Sequence, residues 1–155
     1  MEKKSIKTFE IFTDGACPNN GKKGAYAGYG IYFPDETFDD VSEPFLIAPI
    51  TNQRAELYAI YQALRIAEEN DVMKKYKIII GTDSQYSISS LTDWIKKWVK
   101  NNWKGSNKKP VQNRELIEPI YNIMQKYKGM ITFVHVEAHT KKTDKWSNGN
   151  READK

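Results

Sequence analysis

The chain has 155 residues, enough for one domain able to bury roughly 68–70% of its unfolded surface without staples. Lys and Arg number 24 against 20 acids, a net charge of +4 that hints mildly at a polyanionic partner. A single cysteine, Cys17, excludes an internal disulfide framework and a thiolate metal cluster, and no stretch approaches the ~18 consecutive apolar residues of a membrane span.

In chain order, residues 1–7 carry charge with no apolar run behind them, so no signal peptide is read there. Residues 6–13, rich in Ile, Phe and Thr, predict a strand that ends by delivering Asp14. Residues 14–24 are loop, punctuated by Pro18, Asn19-Asn20-Gly21 and Gly24. Residues 25–33 read as a second strand, in which Gly28 and Gly30 mark close backbone approach or a bulge. Residues 37–47 read as a third, completing an antiparallel meander. Thr51-Asn52 then opens a helix whose buried stripe is Leu57, Ile60, Tyr61 and Leu64. Glu56 lies one position before that stripe. On its own it is an acid favoured near a positive helix end.

Residues 76–82 are apolar without alternation, the pattern of a central strand buried on both faces. Strand, helix and strand make a crossover unit, so this strand is expected to run parallel to an earlier one. It ends on Thr82-Asp83, repeating Thr13-Asp14. Ser84 is expected to cap a short helix to about Leu91, and Thr92 a second one from Asp93 to about Trp103. Between Asp93 and Pro110 stand six lysines (96, 97, 100, 104, 108 and 109), three tryptophans (94, 98 and 103) and one acid. Such interleaving suits a nucleic-acid surface, with lysines for phosphates and rings for sugars and bases; for any one residue, a solvated lysine or a core tryptophan is the blander account. Asn113 starts a helix with the stripe Leu116, Ile117, Ile120, Ile123, Met124 and Tyr127, in which Pro119 is a candidate kink. Gly129 ends it, and residues 130–136 form the last strand. Residues 140–150 read as a polar loop. The expectation is a single domain over residues 1–155, a three-layer α/β fold with a mixed sheet of five strands, three antiparallel and then two parallel.

In such a fold Asp14 and Asp83 leave neighbouring strands at the carboxyl end of the sheet, the edge where open α/β sheets place their ligands. Carboxylates so close raise one another's pKa or demand a cation. Oxygen ligands without a competing His/Cys set suit Mg²⁺, with Mn²⁺ as a substitute. Two such ions ~3.5–4 Å apart serve phosphodiester hydrolysis.

Thr13-Asp14-Gly15, the run from Thr51 to Leu57, Thr82-Asp83-Ser84-Gln85-Tyr86, the Trp94/Trp98/Trp103 segment, the run from His135 to Thr140 and the run from Gly149 to Asp154 together resemble ribonuclease H of type 1. They follow that family's order and cover nearly the whole chain. The resemblance implies an endoribonuclease that cuts the RNA strand of RNA–DNA hybrids with two Mg²⁺ ions and leaves 5′-phosphate and 3′-hydroxyl ends. It makes Asp14, Glu56, Asp83 and Asp154 the metal-binding acids and His139 the mobile histidine that assists proton movement or product release. Asn20, Asn52 and Gln53 resemble the groups that read the minor groove and RNA 2′-hydroxyls. Tyr86 and Trp94 resemble the channel for the DNA sugar, Thr51 and Asn113 a DNA-phosphate pocket, and the lysine-rich segment a basic protrusion.

Three departures stand out. Pro49 holds a position often Arg in the family, the loop from His139 to Asp154 is longer than in its commonest members, and the chain ends one residue after Asp154, so a C-terminal helix is expected to be missing or cut short. The expected protein is a cytoplasmic monomer with no membrane or protein partner. The alternatives are a catalytically weak hybrid-binding module and another two-metal nuclease of the same superfold.

Overall fold

A computed structural model describes residues 7–16, 27–34, 37–105 and 108–136. Five strands, β1 (Lys7–Ala16), β2 (Ala27–Tyr32), β3 (Val41–Phe45), β4 (Tyr76–Thr82) and β5 (Ile131–His135), form one mixed sheet in the order β3-β2-β1-β4-β5. β1, β2 and β3 pair antiparallel, while β4 lies parallel to both β1 and β5. The meander and the parallel crossover are those expected from the sequence. β3 is shorter than the expected 37–47. Its Pro44 lacks the N–H a central strand needs, and the strand lies at the sheet edge, where proline is tolerated.

α1 (Asn52–Glu69) is the crossover helix. The Thr51 hydroxyl caps it by accepting from Arg54 N at 3.2 Å, and the Asn70 side chain closes it by donating to Ile66 O at 2.8 Å. Leu57, Ile60 and Leu64 are fully buried, and so are Ala55, Ala59, Ala63 and Ala67. Tyr61 is half-buried. The alanines form a second, unanticipated stripe that lets α1 settle close against the sheet. Phe9, Ile11, Ile78 and Ile80 supply the other side of this core. Phe12 and Val136 form a separate buried cluster with Tyr32 against it.

After β4, Ser84 caps α2 (Gln85–Ser89) as expected, accepting from Ser87 N at 3.1 Å. Thr92 does not cap a second helix. Its hydroxyl donates back to Ile88 O at 2.7 Å, and the chain runs on through a π-helical turn (Ser90–Trp94) into α3 (Ile95–Lys100). The turn keeps Leu91 and Ile95 both buried. α3 stops short of Trp103, which adopts a left-handed φ of 61° and whose N–H donates back to Trp98 O at 2.6 Å. α4 (Arg114–Lys126) buries Leu116, Ile117, Ile120 and Ile123 and packs on α1. Met124 and Tyr127 are half-buried at its margin. Pro119 lies inside α4 and deprives the Glu115 carbonyl of its usual N–H partner. No helix among the described residues is long and apolar enough to cross a membrane.

Candidate active site

Three carboxylates converge although their residues are 42 and 27 positions apart in sequence. Asp14 comes from the end of β1, Glu56 from the second turn of α1 and Asp83 from just beyond β4. Each offers a carboxylate oxygen, and these oxygens lie within 4.8 Å of one another. The β1–β4 register pairs Phe12 with Gly81, so Asp14 and Asp83 sit two residues beyond the same rung. Gly15 allows the third acid in. A Cβ there would stand 2.6 Å from the backbone carbonyl carbon of Ala55 and the nitrogen of Glu56, so only glycine lets α1 approach β1 this closely.

Asp14 and Glu56 are buried and Asp83 is half-buried. Burial and then the Asp83 carboxylate push the Glu56 carboxyl up to about 8, while the Gly15 N–H and Asp14 pull it partly back. Thr82 Oγ1 donates to Glu56 Oε2 at 3.4 Å and accepts from Ser84 N at 3.1 Å, which ties the end of β4 to the acid. The site is thus rich in oxygen donors. The nearest cation in sequence, Arg54, directs its guanidinium to Asn113 and Glu115. Such a donor set fits a hard divalent cation.

Beside the acids, the N-terminus of α1 presents Asn52 and Gln53, both exposed. Thr51, Tyr86 and Asn113 meet around a pocket of about 390 Å³ that Pro49 also lines. Asn113 Nδ2 donates to the Tyr86 hydroxyl at 3.0 Å. The Tyr86 and Trp94 rings meet edge to face at 6.0 Å, and contacts continue from Trp94 to Trp98 and from Trp98 to Trp103. The tryptophans differ in exposure: Trp94 is 39% exposed, whereas Trp103 is 8% exposed and belongs to the core. Arg114 covers the Trp103 ring at 4.9 Å. Asn20, His139 and Asp154 lie outside the described residues.

Sequence reasoning assigned no task to Arg54, although the geometry makes it the link between α1 and α4. A signal was present. Arg54 occupies the first turn of α1, where a cation opposes the helix dipole, so its place there calls for a reason outside the helix.

Sheet order and acid cluster define an α/β protein whose three carboxylates, gathered at the carboxyl edge of its sheet, could hold a metal ion. The chain belongs to the RNase H family, whose model matches residues 6–155. It is 42% identical over 135 residues to a probable ribonuclease H of Acanthamoeba polyphaga mimivirus, covering 87% of this chain and 58% of that protein. It is 38% identical over 144 residues to a ribonuclease H of Schizosaccharomyces pombe, covering 93% of this chain and 49% of that protein. The chain therefore spans about half the length of these curated relatives. Among solved structures, the PFV RNase H domain superposes with a TM-score of 0.75 at 25% identity, covering 97% of this chain and 92% of that one.

Proposed function

We propose that this chain is an endoribonuclease that hydrolyses the RNA strand of RNA–DNA hybrids, leaving 5′-phosphate and 3′-hydroxyl ends. Asp14, Glu56, Asp83 and Asp154 would hold two Mg²⁺ ions, with Mn²⁺ as a substitute. The observation that carries this reading is the meeting of the first three carboxylates, from three separate elements, beside the exposed amides of Asn52 and Gln53. Family membership supports it: the relatives named above are ribonucleases H.

Bound Mg²⁺ supplies a polarised phosphodiester and an activated water. The chain supplies the rest. Asp14 and Asp83, on adjacent parallel strands, give a rigid pair of oxygen ligands, and Glu56 closes the site from α1. Asn52, Gln53 and Asn20 address the minor groove and the 2′-hydroxyl, the group that separates RNA from DNA. Tyr86 and Trp94 give a deoxyribose a ring to press on, which favours DNA in the uncut strand. Thr51 and Asn113 take a phosphate of that strand. His139 moves a proton or helps product leave. We place this activity in a single domain acting as a cytoplasmic monomer, the lone cysteine being consistent with a reducing compartment.

The test is cleavage of labelled RNA–DNA hybrid, duplex DNA and duplex RNA, each with Mg²⁺ or EDTA. The expected product is Mg²⁺-dependent cutting confined to the RNA strand of the hybrid. Absence of that cut sinks the reading, and cutting of duplex DNA would favour another nuclease of the same superfold.

A further inference from the structure

Thr51, Tyr86 and Asn113 come from three parts of the chain, and one buried cation ties their surroundings together. Arg54 is 2% exposed. Its Nη1 donates to Asn113 Oδ1 at 3.2 Å and to the Glu115 carboxylate, and its Nη2 donates to Ala48 O at 3.3 Å. These acceptors precede α1 or open α4, so the guanidinium braces two walls of the pocket. The same ion pair holds the Glu115 carboxyl below the usual carboxylate range.

A guanidinium only donates hydrogen bonds. Asn113 must therefore turn its amide oxygen to Arg54, which sends the amide nitrogen the other way. That nitrogen gives one hydrogen to the Tyr86 hydroxyl and has a second to spare. The amide's oxygen and nitrogen are almost the same size, so packing alone discriminates poorly between its two orientations; the donor-only partner does. In the flipped orientation lone pairs would face the pocket and repel an anion. Arg54 and Glu115 also cancel one another's charge, and Pro49 brings none. The pocket thus offers an anion correctly aimed neutral donors rather than net charge.

We propose that Arg54 is a positioning residue that locks the Asn113 amide so that its spare N–H meets a phosphate of the DNA strand. The inference rests on the reading of this pocket as a phosphate site in a hybrid nuclease. Arg54 lines the same pocket, but it is 2% exposed and both Nη atoms donate to protein acceptors, so it acts through Asn113.

The test uses hybrids in which one DNA-strand phosphate at a time is replaced by a neutral methylphosphonate. For the wild-type chain one position should stand out, binding about tenfold more weakly when neutralised. Arg54→Lys keeps the charge but cannot hold three acceptors in one plane. It should bind the unmodified hybrid about tenfold more weakly and lose the penalty at that one position. Penalties elsewhere, and kcat at saturating hybrid, should be unchanged. Retention of the penalty overturns the proposal, as does a uniform loss at every position, which a merely structural role would give. A measurement on the wild-type chain decides if that variant does not fold. The Arg54 Nη protons should exchange slowly with solvent and the Asn113 side-chain N–H signals should shift on binding hybrid; rapid exchange or an unmoved amide overturns it. A wild-type chain that cuts hybrid with no standout position removes the phosphate reading and this inference with it. One that does not cut hybrid removes the proposed function itself.

Discussion

Asp14 and Asp83 stand level across the β1–β4 ladder, each two residues beyond the pair Phe12 and Gly81. The parallel crossover through α1 brings this about, because two parallel strands end at the same edge and an acid placed just past each end meets its counterpart. Gly81 helps to keep the strands in register at that edge. A Cβ there would lie 2.8 Å from the Phe12 ring, so the rung below the acids is filled by phenylalanine on one strand and hydrogen on the other.

Asp14→Asn is expected to abolish cleavage while leaving hybrid binding largely intact. The amide keeps the shape of the buried side chain but removes a charge that, in the proposed function, holds the cations. Metal assistance is worth several kcal/mol, so the loss of rate should be on the order of a thousandfold or more. The check is single-turnover cleavage beside equilibrium binding of the same hybrid. A variant cutting at near wild-type rate would show that Asp14 is not a metal ligand.

The stability of the metal-free chain should fall as pH rises through neutrality. The Glu56 carboxyl is raised from 4.5 to about 8 in the folded chain. Between those values the folded state holds a proton that the unfolded state has released, so raising the pH favours unfolding. The contribution is complete below the unfolded value and is lost as pH passes the folded one. Cations relieve the same repulsion, so the difference in Tm between Mg²⁺ and EDTA should widen from about pH 6 to about pH 8. Glu56→Gln should flatten the EDTA profile over that range. A wild-type profile in EDTA parallel to that of the variant would remove Glu56 as the cause.

How far the sequence was readable depended on how local the determining contacts are. β4 was read to the residue, because a short apolar run such as Ile78-Ile79-Ile80 needs no partner to be recognised. The opening of α1 at Thr51-Asn52 is equally local, while the choice of Thr51 as its cap came from the structure. Thr92 misled because a threonine after a helix looks like a cap, whereas here it bonds back to Ile88 O and lets Leu91 and Ile95 both stay buried. Asp14, Glu56 and Asp83 looked ordinary one at a time and became a site only through their order and family motif. Arg54 showed only that it sits unfavourably in the first turn of α1; its partners were not legible. Its partners Asn113 and Glu115 lie 59 and 61 residues away, and no periodicity records such a contact. The alanine stripe of α1 was missed for a related reason: alanine marks a close helix–sheet approach, which depends on Gly15 in a different strand.

Gly15→Ala should therefore damage the site through the fold. The added methyl would meet backbone atoms of Ala55 and Glu56 at 2.6 Å, and backbone cannot rotate away. Relief requires α1 to move from β1, at a cost of roughly 1–3 kcal/mol. Glu56 travels with α1, so cleavage measured well below the lowered Tm should still be strongly reduced. Full activity at such a temperature would mean that the acid cluster tolerates a wider β1–α1 spacing than this packing implies.

Trp94 and Trp103 should separate binding from stability. Trp94 is 39% exposed with its ring edge to face against Tyr86, so Trp94→Ala should scarcely alter Tm. It should weaken hybrid binding by about 1–3 kcal/mol, the usual worth of a ring that stacks on nucleic acid, and raise KM with little change in kcat. Trp103 is 8% exposed, packed between Trp98, Tyr121 and Arg114. Its replacement by alanine should cost about 3–5 kcal/mol of stability and impair binding only as the fold loosens. Thermal melts and hybrid titrations on both variants give the comparison. If Trp94→Ala melts early and binds normally, its ring is a core residue, and the aromatic channel must be sought elsewhere on the helical run after β4.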